Sequence, residues 1–186
     1  MTEGARIMSY AEYLAFEEAA GTKHEYVNGA VVAMAGGTIE HGRLAANLTL
    51  MIGQLARAAG CSVYFSDVRV RVMATNRTTY PDLTVVCGPV IPAGDDPHAI
   101  TNPTLLVEVL SPSTEASDRG EKWAHYQRLP SLRAYLLVAQ DPARVELFAR
   151  DASGEVWTFQ QAGRGQSLQL DALGGSLDVD AVFAGP

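Results

Sequence analysis

An acid interrupts the most apolar run of this chain. Leu105-Leu106-Val107-Glu108-Val109-Leu110 reads as a buried strand, and near-continuous runs of this kind belong to strands covered on both faces. A carboxylate there is costly unless something compensates its charge. A second acid stands at the mouth of another apolar run, in Tyr80-Pro81-Asp82 ahead of Leu83-Thr84-Val85-Val86. The segment between Asp82 and Glu108 is long enough to let the two strands lie side by side as an antiparallel pair. Both acids then project from one end or face of the sheet.

Two carboxylates placed so can share a hard divalent cation such as Mg²⁺, which takes oxygen ligands and often only one or two protein carboxylates. The Val109 carbonyl is a candidate third donor, and Mn²⁺ is an acceptable substitute for Mg²⁺. Such an ion polarises a phosphate and lowers the pKa of a bound water. Lys122 follows on a helix, four residues after Asp118 and four before Tyr126, so the three share a face that can turn back toward Glu108. A plainer reading stays open for each residue. Asp82 can cap a turn after Pro81, Glu108 can pair with Arg69, Arg71 or Lys122, and Lys122 can pair with Asp118 alone.

The chain has 186 residues, 47% of them hydrophobic and 19% charged. That suits one domain, spanning 1–186, with a sizeable core. The net charge of -7 argues against coating nucleic acid indiscriminately, a property of clustered Lys and Arg. Met1 to Ile7 is short and polar, without the apolar core of a secretion signal, and no apolar run is long enough to span a bilayer. A cytoplasmic protein without membrane contact is the expectation. Cys61 and Cys87 sit beside strand-like residues without metal-ligand spacing, and read as buried thiols in a reducing compartment.

Along the chain, Ser9 to Glu12 forms a capping box that opens a helix running to about Ala20. Asn28-Gly29 joins two short strands, His24 to Val27 and Ala30 to Met34, as a hairpin. A long helix follows Gly36-Gly37-Thr38, with Leu44, Leu48, Met51, Ile52 and Leu55 at helical spacing and Gly60 at its end. Strands are expected at Cys61 to Phe65 and at Val68 to Val72, the latter with Asp67, Arg69 and Arg71 on a solvated face. Further strands are expected at Tyr80 to Cys87 and Leu105 to Leu110. Gly88 to Pro103 reads as a loop with an acidic tip at Asp95-Asp96, and Asp118 to Leu129 as a helix. Strands at Arg133 to Ala139, Arg144 to Arg150, Glu155 to Gln160 and Ser167 to Leu170 complete the pattern. The fold class is α/β (α+β), a mixed sheet flanked by helices, with an N-terminal helix and hairpin.

Pro81-Asp82, then Glu108-Val109-Leu110, resembles the PD-(D/E)XK (restriction-endonuclease-like) nuclease superfamily. More narrowly, Val107 to Ser113 with Asp118, Lys122 and Tyr126, preceded by Gly36 to His41 and Tyr80 to Asp82, is similar to a large bacterial family of restriction endonucleases within it. The likeness runs from about Met8 to Arg150. It implies a metal-dependent DNA endonuclease that hydrolyses phosphodiester bonds with metal-activated water. Asp82 and Glu108 would hold the metal, Glu40 would supply a further acid, and Lys122 would replace the lysine missing at Leu110. His41 beside Glu40 is either a proton carrier or DNA contact or a polar helix-start residue. A homodimer suits cleavage of two strands, since isologous pairing is the commonest assembly. The alternatives are a nuclease-fold scaffold that binds DNA or protein with little catalysis, and a hydrolase of another phosphoester.

Overall fold

The structure is a computed structural model that describes residues 7–185. The expectation for the leader falls on residues 1–6, outside the described residues. The first half of the chain runs α1 (Tyr10–Ala19), β1 (His24–Val27), β2 (Ala30–Ala33), α2 (Ile39–Ala58), β3 (Cys61–Phe65), β4 (Arg69–Val72), β5 (Arg77–Thr79), β6 (Leu83–Cys87), β7 (Pro92–Ala93) and β8 (Asp96–Ile100). Then come β9 (Leu105–Val109), α3 (Glu115–Ser117), a π turn (Asp118–Lys122), α4 (Trp123–Tyr126), β10 (Ala134–Ala139) and β11 (Arg144–Arg150). The chain finishes with β12 (Trp157–Gly163), β13 (Ser167–Leu170), β14 (Gly175–Asp178) and α5 (Val179–Val182). No helix among the described residues is long and apolar enough to cross a membrane.

Local chemistry sets these elements. The Ser9 hydroxyl accepts from the Glu12 amide while the Glu12 carboxylate accepts from the Ser9 amide, closing the capping box of α1. Asn28 and Gly29 both take positive φ, which is what a two-residue hairpin turn between β1 and β2 demands. Thr38 caps α2 by accepting from the His41 amide. Leu44, Leu48, Ile52 and Ala56 then form one buried stripe along that helix.

The sequence pattern led to one mixed sheet, but the strands form two six-stranded sheets and a small hairpin. The central sheet has the order β12-β11-β10-β9-β6-β3, and the second β2-β1-β5-β4-β8-β7. Only β9 with β10, and β4 with β8, run parallel. β9 is the pivot. Leu105, Val107 and Val109 face the core under α2, while Leu106 and Leu110 face a second core shared with β4 and the α4 region. Glu108, between them, belongs to the second face.

Several expectations are corrected. Gly88 to Pro103 is not a loop, because β7 and β8 pair within it and join the second sheet. Asp96 is not at an exposed tip: it is buried, and both its oxygens meet the Arg69 guanidinium at 2.7 and 3.1 Å. Arg69 and Arg71 therefore do not line a solvated face. Arg71 is buried, paired with Asp95 at 3.0 Å and stacked 3.7 Å from the Tyr10 ring. Apolar patterning treats such paired charges as exposed because it does not see their partners. Cys61 and Cys87 lie directly opposite in β3 and β6 and form a disulfide, so the reading of two buried thiols is withdrawn. The helix expected from Asp118 to Leu129 is broken into a π turn and the short α4. The strand at Tyr80 begins only at Leu83, and that at Glu155 is displaced to Trp157–Gly163. β14 and α5 were not anticipated.

Breaking the Arg69–Asp96 pair leaves a half-buried guanidinium without its charged partner, which costs about 3 kcal/mol, the lower end for a buried pair. Asp96→Asn is expected to destabilise the fold by about that amount in urea titration. Burial alone would raise the Asp96 carboxyl, but Arg69, the His98 amide and Tyr10 together hold it below its ordinary value. Its contribution is thus present above about pH 4 and lost as pH falls through the lowered folded value. The variant's stability should change less than the wild type's across that acid range.

Candidate active site

β6 and β9 are antiparallel neighbours, with Leu83 opposite Val107 and Thr84 opposite Leu106. Extending that register by one residue sets Asp82 against Glu108, so both acids share the sheet face that Leu106 occupies. Asp82 is fixed there by its own strand partner: its Oδ2 accepts the Val109 amide at 2.7 Å. Pro81 precedes it and has no amide to give to the ladder, so β6 starts at Leu83 and Asp82 lies just ahead of it with its side chain 17% exposed.

Glu108 is buried, and its Oε1 accepts from the Tyr126 hydroxyl at 2.9 Å and the Lys122 ammonium at 3.2 Å. Tyr126 in turn shares a 2.9 Å hydrogen bond with Thr79. Lys122 is buried as well. Its Nζ lies 3.0 Å from Asp118 Oδ1 and 3.0 Å from Glu25 Oε1. The Asp118, Lys122 and Tyr126 face expected from helical spacing does converge on Glu108, and the π turn does not disperse it. Glu25 was missed. It lies on the hairpin strand β1, far from the motif in sequence, and its one signal was an acid beside apolar Tyr26 and Val27. Arg77 braces it from β5 at 3.2 Å and also meets Glu121 at 2.9 Å.

These contacts set the proton affinities. Burial pushes the Glu108 carboxyl up to about 8, against the lowering effect of Lys122 and with the further push of Asp118, Asp82 and Glu25. Burial alone would lower the Lys122 ammonium, but Glu108, Glu25 and Asp118 more than offset it and hold Lys122 well above its ordinary value. Lys122 thus meets Glu108, Glu25 and Asp118 at once, and Glu25 has Arg77 as a second cation.

The first turn of α2 brings His41, not Glu40, to these residues. His41 Nε2 lies 3.2 Å from Asp82 Oδ2. That hydrogen bond raises the His41 pKa above its ordinary value, with the Val109 backbone adding to it and burial opposing. Glu40 points away, paired with Arg43 at 2.5 Å and 46% exposed. Neighbouring helical residues differ by about 100° in direction, so only one of the two can face the sheet. Gly37 lies close under the ring: a Cβ there would stand 3.0 Å from His41 Nδ1.

Asp82, Glu108, Val109, Lys122 and His41 line one open cleft of about 460 Å³. Lys23 and the segment Met34 to Gly37, which leads from the second sheet into α2, line it as well. No group of three or more His, Cys, Asp or Glu side chains suited to a metal occurs among the described residues. The donor set is instead two carboxylates and the Val109 carbonyl. All are hard oxygen donors, and Mg²⁺ commonly takes no more from a protein, completing its shell with water and phosphate. The residues present fit that ion.

The fold, with two acids opposed across an antiparallel strand pair and a lysine and a helix start against them, is the arrangement that the resemblance to restriction-endonuclease-like nucleases implies. The comparisons with known proteins agree. Residues 10–180 match the Uma2 family, described as "Putative restriction endonuclease", and the chain belongs to it. Two proteins of Synechocystis sp. (strain ATCC 27184 / PCC 6803 / Kazusa) are similar over their length. Uncharacterized protein slr1290 is 35% identical over 96% of this chain and 92% of its own, and uncharacterized protein sll1609 is 30% identical over 96% and 94%. The crystal structure of a putative nuclease belonging to DUF820 from Anabaena variabilis ATCC 29413 superposes with a TM-score of 0.77. It covers 95% of this chain and 97% of that one at 13% identity, a likeness of fold.

Asp82→Asn is expected to bring the His41 pKa down toward its ordinary value of about 6.5, because the neutral amide no longer favours the imidazolium. An NMR titration of the His41 ring reads this directly, and an unmoved pKa would mean that the ring does not face Asp82.

Proposed function

We propose that this chain is a metal-dependent DNA endonuclease. The reading is carried by Asp82 and Glu108, opposed across β6 and β9 in an open cleft, with the Lys122 ammonium 3.2 Å from Glu108. Asp82, Glu108 and the Val109 carbonyl would hold Mg²⁺ or Mn²⁺. When bound, the ion supplies Lewis acidity toward the phosphate and lowers the pKa of its water. Lys122 contributes a fixed positive charge beside the carboxylates, placed to meet the anionic phosphodiester. His41 donates to Asp82 Oδ2 and orients that carboxylate. Thr79 and Tyr126 steady Glu108 from behind. The family supports DNA as the substrate. All these residues come from one chain, so the expected homodimer is not needed to complete the site.

The test is cleavage of supercoiled plasmid and of circular single-stranded DNA, with Mg²⁺, Mn²⁺ or chelator, alongside calorimetric metal titration. We expect metal-dependent cleavage that falls about a hundredfold or more in both Asp82→Ala and Glu108→Ala, the loss that several kcal/mol of transition-state stabilisation implies. Metal binding at Asp82 and Glu108 with no DNA cleaved would move the reading to another phosphoester. Neither binding nor cleavage would reduce the cleft to part of a scaffold and overturn the proposal.

A further inference from the structure

The placement of positive charge narrows the substrate. The chain has only two lysines, Lys23 and Lys122, and both line the cleft. Most of the described arginines are engaged with carboxylates: Arg43 with Glu40, Arg69 with Asp96, Arg71 with Asp95, Arg77 with Glu25, Arg119 and Arg144 with Glu146, and Arg164 with Asp180. Arg57, Arg128, Arg133 and Arg150 have no carboxylate within bridging distance among the described residues, but they lie away from the site. Arg133 stands just ahead of β10, whose Ala134 pairs with Leu105 at the end of β9 opposite Glu108. Arg150 hydrogen-bonds to Arg133 and to the backbone beside Arg128. Arg57 is in the last turn of α2 while His41 is in the first, about 24 Å away at helical rise.

A duplex-binding protein commonly neutralises about 6–10 phosphates. The cations lining the cleft of this chain, with net charge -7, are Lys23, Lys122 and His41, and each is itself paired with acid: Lys23 with Asp67, Lys122 with Glu25, Glu108 and Asp118, and His41 with Asp82. The cleft volume of about 460 Å³ is on the scale of small-ligand sites and suits a nucleotide or two of one strand. Lys23 is 40% exposed, anchored by the Ser66 carbonyl at 2.9 Å and by Asp67, and lines the same cleft as Lys122. Phe65 ends β3 on the α2 side of the sheet, immediately before Ser66, which lines the cleft. It is 56% exposed and has no ring contact among the described residues, which leaves its face free to stack an unpaired base.

We propose that the cleft takes a single DNA strand, such as an unpaired end, flap or loop. Its backbone passes between Lys23 and Lys122, and a base stacks on Phe65. This rests on the nuclease reading of Asp82 and Glu108 and names the substrate of that same site. Lys23 and Phe65 then bind substrate without taking part in metal binding.

The full chain is titrated by fluorescence anisotropy against a labelled oligonucleotide and its duplex across a range of salt, with Ca²⁺ in place of Mg²⁺. Cleavage of the same pair is followed in Mg²⁺. We expect the single strand to bind at least about tenfold more tightly than the duplex and to be cleaved in preference. Lys23→Gln should flatten the log Kd against log salt slope by about 0.7, the loss of one single-strand phosphate contact. Phe65→Ala should weaken single-strand binding about tenfold and leave the duplex affinity alone, with thermal melts confirming both folds. Equal or better binding and cleavage of duplex overturns this inference and leaves the nuclease reading standing, as does unchanged single-strand binding by both variants. No binding of either DNA, together with metal binding indifferent to Asp82→Ala, overturns both.

Discussion

The Lys122 ammonium sits among carboxylates from three separate stretches of the chain, and the two sheets meet at that charge. Glu108 comes from the central sheet, Glu25 from the second sheet, and Asp118 from the connection that carries Lys122 itself. Buried acids in this number repel one another and are stable only with their cation among them. Tyr126 and Arg77 extend the group on either side and join it to β5. The geometry of the cleft is therefore set by electrostatics that must be satisfied at folding, before any substrate is considered.

Register carries the same logic into the central sheet. Side chains alternate across a strand, so placing Leu105, Val107 and Val109 under α2 obliges Glu108 to the other face. The pairing of β6 with β9 then puts Asp82 on that face too. A slip of one residue would turn the acids beneath α2 and send Leu105, Val107 and Val109 toward the second core. The apolar core that stabilises the sheet is thus also what aims the two carboxylates.

Much of this was legible in the chain. Asn28-Gly29, the Ser9 capping box and the spacing of Leu44, Leu48 and Ile52 located the hairpin and both long helices, because each is a local code. Asp82, Glu108 and Lys122 stood out because acids and lysines are anomalous beside apolar strands. Glu25, Asp96, Arg71 and Arg77 did not, because each is made tolerable only by a partner distant in sequence, and pattern alone assigns such residues to the surface. The second sheet was missed for the same reason: β5, β7 and β8, which complete it around the expected β1, β2 and β4, are short, and ion pairs such as Arg69–Asp96 and Arg77–Glu25 tie β8 and β5 to partners distant in sequence. Glu40 and His41 were adjacent candidates, and only the rotation of α2 against the sheet decides between them.

The position of Glu25 has a consequence for how this site can change over time. The residues that would be written as its motif run from Asp82 to Lys122, yet the charge balance around Lys122 is completed from the N-terminal hairpin. Substitutions in that hairpin and in the segment bearing Lys122 are not independent events, since each alters the same local sum of charge. The motif is consequently not a portable cassette: moved to another scaffold without β1, it would arrive with its lysine but without one of the acids that keep the lysine in place.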